Sequence, residues 1–183
     1  MLPDMVAWYF FIDNIMQCVH ILDYKILLKG KRMVDWNDVE AYRREFVGES
    51  YLVVNSDDLI YIGADFPDEY SHSNYTRILK GANEKAKANA AQGLPELIEI
   101  ASGKVYTQNY KEKHNKDAMH GWYRYESRFA IPVFNESGEI DRYNVFHVII
   151  VVRHGSDGKL YLYDIMNIKK ETSTLFRSED VTQ

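Results

Sequence analysis

A single cysteine, Cys18, stands in 183 residues. No internal disulfide can form, no cysteine-rich zinc site can be built, and a reducing compartment is the natural setting. Long apolar runs are missing too. The longest, Val6 to Ile12, is seven residues and is followed by Asp13 and Asn14, whereas a spanning helix needs about 20. No basic stretch precedes it and no small-residue cleavage site follows, so it does not read as a signal peptide. The expectation is a soluble, cytoplasmic protein with no membrane partner. No Gly-rich phosphate loop, nucleophile elbow or His-Glu-x-x-His pattern occurs, which counts against NTPase, α/β-hydrolase and zinc-protease chemistry. Positive charge is in deficit: 22 Lys and Arg against 27 Asp and Glu leave a net −5. That argues against sequence-blind nucleic-acid binding over the whole surface, but leaves room for a local basic cleft.

What the chain does have is tyrosine, 14 of them, a residue suited to partner interfaces and to base stacking. With 46% apolar and 27% charged residues, the composition is that of a globular protein with a sizeable core. From Asp4 to about Leu28, the residues Met5, Trp8, Ile12, Ile15, Val19, Leu22 and Ile26 recur at alternating steps of three and four. This predicts a helix with Pro3 in its first turn. The helix could pack on its own core or dock a partner, including a second copy in a homodimer through residues 4–28. A second helix is expected from Asp35 to Phe46, with Asn37 and Glu40 as a capping box.

Ser50–Asn55 and Asp58–Gly63 read as short strands around a Ser56-Asp57 turn. Ala64–Ser73 reads as a loop in which His72 is exposed rather than metal-ligating. A helix follows from near Ser73 to Ala90, with Gly93 at its end and another short helix opening at Pro95. The expected domains are an N-terminal helical region over 1–48, an α+β domain over 49–176 and a polar tail over 177–183.

The last third carries the chemistry. Arg128–Phe134, Tyr143–Arg153 and Lys159–Ile165 read as three strands joined by short turns, an antiparallel meander. Period-two reading puts Phe146, Val148, Ile150 and Val152 on an apolar face. Arg128, Tyr143, His147, Tyr161 and Tyr163 fall on the other. That second face is either a wetted sheet surface or a working one. Before it, Lys104, Lys111, Lys113, Lys116, Arg124 and Arg128 interleave with Tyr106, Tyr110, Trp122, Tyr123 and Tyr125. Cations for phosphates and aromatic planes for bases are what single-stranded nucleic acid requires. RNA brings its own 2′-OH nucleophile, so its cleavage needs only a base, an acid and cations for the phosphorane.

The runs Lys111–Ala118, Gly121–Glu136, Arg142–His147 and Asp157–Ser173, with the Ala82–Gly93 helix, resemble nuclease-like modules in large polyvalent proteins of phages and mobile elements. These are similar to the barnase–EndoU–colicin–RelE superfamily of small metal-independent RNases. The likeness spans about 56–176. The chain also resembles type II anti-CRISPR proteins of streptococcal or enterococcal mobile elements. The resemblance implies an α+β fold with helices on one face of an antiparallel β-meander and catalysis on the other face; with the N-terminal helices read from the spacing above, the expected order is N-terminal helices, then helices on the meander. It implies RNA cleavage without metal or other cofactor, guide RNA as substrate, a type II CRISPR effector as protein partner, and a bacterial host cytoplasm.

Residue chemistry and resemblance together nominate His114, Arg128, His147, Tyr163, Lys170 and Thr172 as a catalytic group. His147 or His114 would be the base, with the other histidine or Tyr163 as acid; Arg128 and Lys170 would stabilise the phosphorane. Lys111, Lys113, Arg124 and Lys169 would position the RNA backbone, and Tyr125 or Trp122 would stack a base. The competing expectation is a non-catalytic module that blocks a nucleic-acid groove of its target.

Overall fold

The computed structural model describes residues 8–12, 15–22 and 33–171. At the N-terminus, β1 (Trp8–Ile12) pairs antiparallel with β2 (Ile15–Ile21), Trp8 opposite Val19 and Ile12 opposite Ile15. This corrects the helix expected over Asp4–Leu28; the rest of that stretch lies outside the described residues. The physical reason is composition. Trp8-Tyr-Phe-Phe-Ile and Ile15, Val19 and Ile21 are aromatic or β-branched strand formers, and a run apolar at every position satisfies either periodicity. The helical face proposed for self-association is therefore absent from the described part of this segment.

Next, α1 (Trp36–Arg44) is capped by Asp35, whose carboxylate accepts the Asn37 N–H at 3.0 Å. The cap sits two residues ahead of the expected capping box. β3 (Ser50–Val53) and β4 (Asp58–Tyr61) form an antiparallel hairpin, with Asp57 in the left-handed region at φ 57°. The expected loop after it is largely α2 (Phe66–His72): Pro67 suits a first turn, and Phe66 and Tyr70 give the segment a buried face. The long helix expected to Ala90 is two, α3 (Asn74–Ile78) and α4 (Gly81–Ala90). Extended backbone at Leu79 and Lys80, and φ 63° at Gly81, interrupt it. A 3₁₀ turn at Ala91–Gly93 leads into α5 (Leu94–Glu99), with Pro95 at its start.

β5 (Ser102–Thr107) falls in a stretch that reads only as basic and polar. Then come the long strands β6 (Trp122–Phe134), β7 (Ile140–His154) and β8 (Leu160–Lys170). The chain is α+β. The eight strands among the described residues run β1-β2-β6-β7-β8-β4-β3, with β5 also on β6. The antiparallel β6-β7-β8 meander is the centre of a mixed sheet, because β2 joins β6 in parallel and β4 joins β8 in parallel. No helix among the described residues is long and apolar enough to cross a membrane.

One core holds the elements together. Phe146, Val148, Ile150 and Val152 of β7, Tyr125 and Phe129 of β6 and Leu162 and Ile165 of β8 share it with helical residues including Phe66, Ala86, Leu94 and Ile98. Leu22 and Val39, from the 1–48 region, belong to the same cluster. A smaller cluster, Val19, Ala130 and Val145, includes residues of the opposite side of β6 and β7.

Inside the core lies a buried ion pair. Lys87 Nζ donates to Asp164 Oδ1 at 2.5 Å and to Thr76 Oγ1 at 2.7 Å, and lies 4.7 Å from the centre of the Tyr70 ring. Asp164 also accepts from the Ser73 hydroxyl at 3.0 Å and from the Ile165 N–H at 2.8 Å.

The turn into β6 depends on Gly121, at φ 93°. A Cβ there would meet Tyr106 Cε2 at 2.7 Å and the Thr107 carbonyl oxygen at 2.8 Å. Gly121→Ala is expected to cost about 1–3 kcal/mol through backbone strain and this clash. Urea unfolding checks it: the midpoint should fall at unchanged m-value, and an unmoved midpoint would show that the strand end gives way freely.

Candidate catalytic surface

Strand register decides which charged side chains meet. The Asn135–Glu139 turn, where Asn135 Oδ1 accepts the Glu139 N–H at 2.9 Å, closes β6 onto β7. The pairing places Arg128 opposite His147. Between β7 and β8 the register slips by one residue after His147, close to Asn167, which takes φ 53°. That slip sets Lys169 opposite His147; continuing the Ile149–Met166 register would have put apolar Ile168 there. Directly opposed residues share a face. Glu126, two residues before Arg128 on β6, lies on that face as well.

The result is a charged group on three adjacent strands. His147 Nε2 is 3.4 Å from Glu126 Oε2, with the two side chains 21% and 53% exposed. Arg128 Nε donates to Glu171 Oε1 at 3.0 Å, which fixes the guanidinium beside His147. Arg124 and Lys169 are exposed. A carboxylate, an imidazole, a guanidinium and an ammonium thus converge where reagents can reach them.

His114 is elsewhere. It ends a 3₁₀ turn, Glu112–His114, and packs edge-on to Trp122 at 5.2 Å and to Tyr163 at 6.0 Å. Trp122 and Tyr163 themselves meet at 5.0 Å. Partial burial, helped by the Lys113 charge, lowers the His114 pKa and favours the neutral ring. Burial and the neighbouring Glu69 carboxylate push the Tyr163 hydroxyl up, so it holds its proton. Trp122 and Arg128 are six positions apart on β6, about 20 Å at roughly 3.3 Å per residue. An acid and a base must both reach one phosphate. His114 and Tyr163 therefore do not join His147 in a single proton-transfer set, and the expected pairing of the two histidines is corrected.

Other nominated residues divide in the same way. Lys170 is exposed but opposes Phe146, so it belongs to the opposite register face from His147, and Lys169 takes the place assigned to it. Tyr125 is fully buried, with its hydroxyl donating to Asp58 Oδ2 at 2.9 Å, so it cannot stack a base; its side chain lies on the core face. Trp122 is half-buried under His114, with its indole N–H directed to Asn109 Oδ1 at 3.4 Å. Lys111 and Lys113 are exposed around the 3₁₀ turn. Thr172 lies outside the described residues. Sequence reasoning nominated neither Glu126 nor Glu171. The period-two pattern that selected Arg128 would also have selected Glu126.

His72 is not a loop residue. It closes α2 and its Nε2 lies 2.8 Å from Glu40 Oε2. With Asp68 these side chains bring three potential metal-ligand atoms within 4.8 Å of one another. Arg44 also bonds the Glu40 carboxylate, and the His72 and Arg44 hydrogen bonds hold that carboxyl below its usual value. Internal partners thus already satisfy Glu40 and His72.

Comparison with models of protein families and with curated proteins finds no match for this chain.

Proposed function

We propose that this protein is a metal-independent ribonuclease working through Glu126, Arg128, His147 and Lys169. The observation that carries the reading is the 3.4 Å approach of Glu126 Oε2 to His147 Nε2, with Arg128 and Lys169 directly across from His147 on the flanking strands. Glu126 takes the proton of the ribose 2′-OH, and the freed oxygen attacks the adjacent phosphorus. Protonated His147 gives its proton to the departing 5′-oxygen. Arg128 and Lys169 offset the charge that builds on the phosphorane oxygens. The bond from phosphorus to the 5′-oxygen breaks as the bond to the 2′-oxygen forms, leaving a 2′,3′-cyclic phosphate and a 5′-hydroxyl. In the free protein Glu126 and His147 hold each other; a phosphate entering between them parts the pair.

The net charge of −5 disfavours capture of bulk RNA. The substrate in this reading is RNA already held by a protein partner. The family resemblance points to the guide RNA of a type II CRISPR effector, whose truncation disarms the effector. A guide RNA labelled at its 5′ end, free and effector-bound, is incubated with the protein in EDTA and run on a denaturing gel. The expected result is a shortened RNA ending in a cyclic phosphate, formed faster when the effector is present. RNA that stays whole overturns cleavage, and whole RNA in an inhibited effector identifies the groove-blocking module instead.

A further inference from the structure

At the end of the sheet where β5 leads into β6 lies a cleft of about 690 Å³ that the catalytic group does not use. We infer that it receives a single unstacked nucleobase of the bound strand, an inference that rests on the ribonuclease reading. Rings make part of its lining. Tyr106 and Tyr123 approach at 5.4 Å, Tyr123 and His154 at 5.8 Å, and His154 and His120 at 5.0 Å, all tilted. Amides line it as well. Asn109 is spent internally: Oδ1 accepts from the Lys111 N–H at 3.1 Å and the Trp122 indole at 3.4 Å, and Nδ2 donates to Asn115 Oδ1 at 3.2 Å. It therefore orients Asn115. Among the described residues neither Asn115 Nδ2 nor the Gln108 amide donates a hydrogen bond, and both residues line the cleft.

The volume lies in the range of small-molecule sites, and the lining is more polar than apolar. Among the described residues no carboxylate lines the cleft. Aromatic rings and hydrogen-bonding amides in one cleft fit a flat heteroaromatic ring read along its edge, as single-stranded RNA bases are read. Gly121 contributes shape, since any side chain there would strike the Tyr106 ring.

Trp122 and Tyr123 are adjacent on β6 and face opposite ways, so the cleft lies around the sheet end from Glu126. Exposed Arg124 stands beside that path. A strand engaging both places must extend well beyond the scissile phosphate, which makes the cleft a selector for longer RNA.

The imidazole signals of the six histidines allow a direct test by NMR. The protein is titrated with AMP, GMP, CMP, UMP and, as a base-free control, ribose 5-phosphate. At least one mononucleotide should shift His120 and His154, ribose 5-phosphate should not, and Asn115→Ala should weaken that binding at least fivefold. Tyr123→Leu should do the same. Shifts confined to His147, or equal shifts of His120 and His154 with ribose 5-phosphate, overturn the base pocket and leave the phosphate-binding surface standing. No shift at any histidine also overturns it, while the EDTA cleavage assay judges the ribonuclease reading separately.

Discussion

Replacing Lys87 by methionine should lower the unfolding free energy by about 3–5 kcal/mol, the usual loss when one member of a buried ion pair is removed. Lys87 and Asp164 are 0% and 1% exposed, so water cannot replace the missing ammonium. Burial already raises the Asp164 carboxyl to about 6 and lowers the Lys87 ammonium, each charge paying for its lost hydration despite the other. A carboxyl whose folded pKa lies above its unfolded value binds protons more tightly in the native state. Its contribution is fully present below the unfolded pKa, near 3.8, and is lost as pH rises through about 6.

Without Lys87 the folded value climbs further, so the deficit of the variant should be larger at pH 8 than at pH 5. Chemical denaturation at both pH values measures it, and equal deficits would contradict the linkage. Lys87→Met/Asp164→Leu, which removes both charges, should recover a large part of the loss. The recovery stays incomplete because Ser73 and the Ile165 N–H lose their acceptor.

The second large effect is on catalysis. Glu126→Gln and His147→Ala should each lower kcat/KM for RNA cleavage by about 10²–10⁴-fold, the range for loss of a positioned acid or base. The double variant should be little worse than either single one, because the two act on one phosphate and their losses do not add. Glu126→Gln keeps the shape of a side chain that is 53% exposed, so folding should not obscure the result. His114→Ala discriminates between the arrangements. It removes edge-on contacts with Trp122 and Tyr163 and should lower the thermal midpoint while largely sparing kcat/KM. If His114→Ala abolishes cleavage and His147→Ala does not, the active group is the one around Tyr163.

Much of the fold is legible in short stretches of chain. Alternation in Tyr143–Arg153 separates Phe146, Val148, Ile150 and Val152 from His147 because side chains in a strand alternate faces, and those four residues are all in the core. The Ser56-Asp57 turn and the Pro95 helix start are likewise local. The N-terminal stripe misleads because its apolar residues fit a helical spacing as well as a strand. Its outcome depends on a distant partner, since His20 and Ile21 pair with Phe129 and Ala130 and the Leu22 N–H meets the Ala130 carbonyl at 3.0 Å. No local window contains that information.

The site divides along the same line. The sequence by itself determined an α+β chain and a polar strand face carrying Arg128 and His147, because period-two alternation and short turns act over a few residues. Tertiary structure alone decided that Glu126 rather than His114 reaches His147, and that Lys169 rather than Lys170 stands across from it. It also sank Tyr125 into the core. Those outcomes rest on pairing register, on a one-residue slip near Asn167 and on where the loop carrying His114 settles. Each is an interaction between segments far apart in the chain, whose closing entropy and packing no local pattern records.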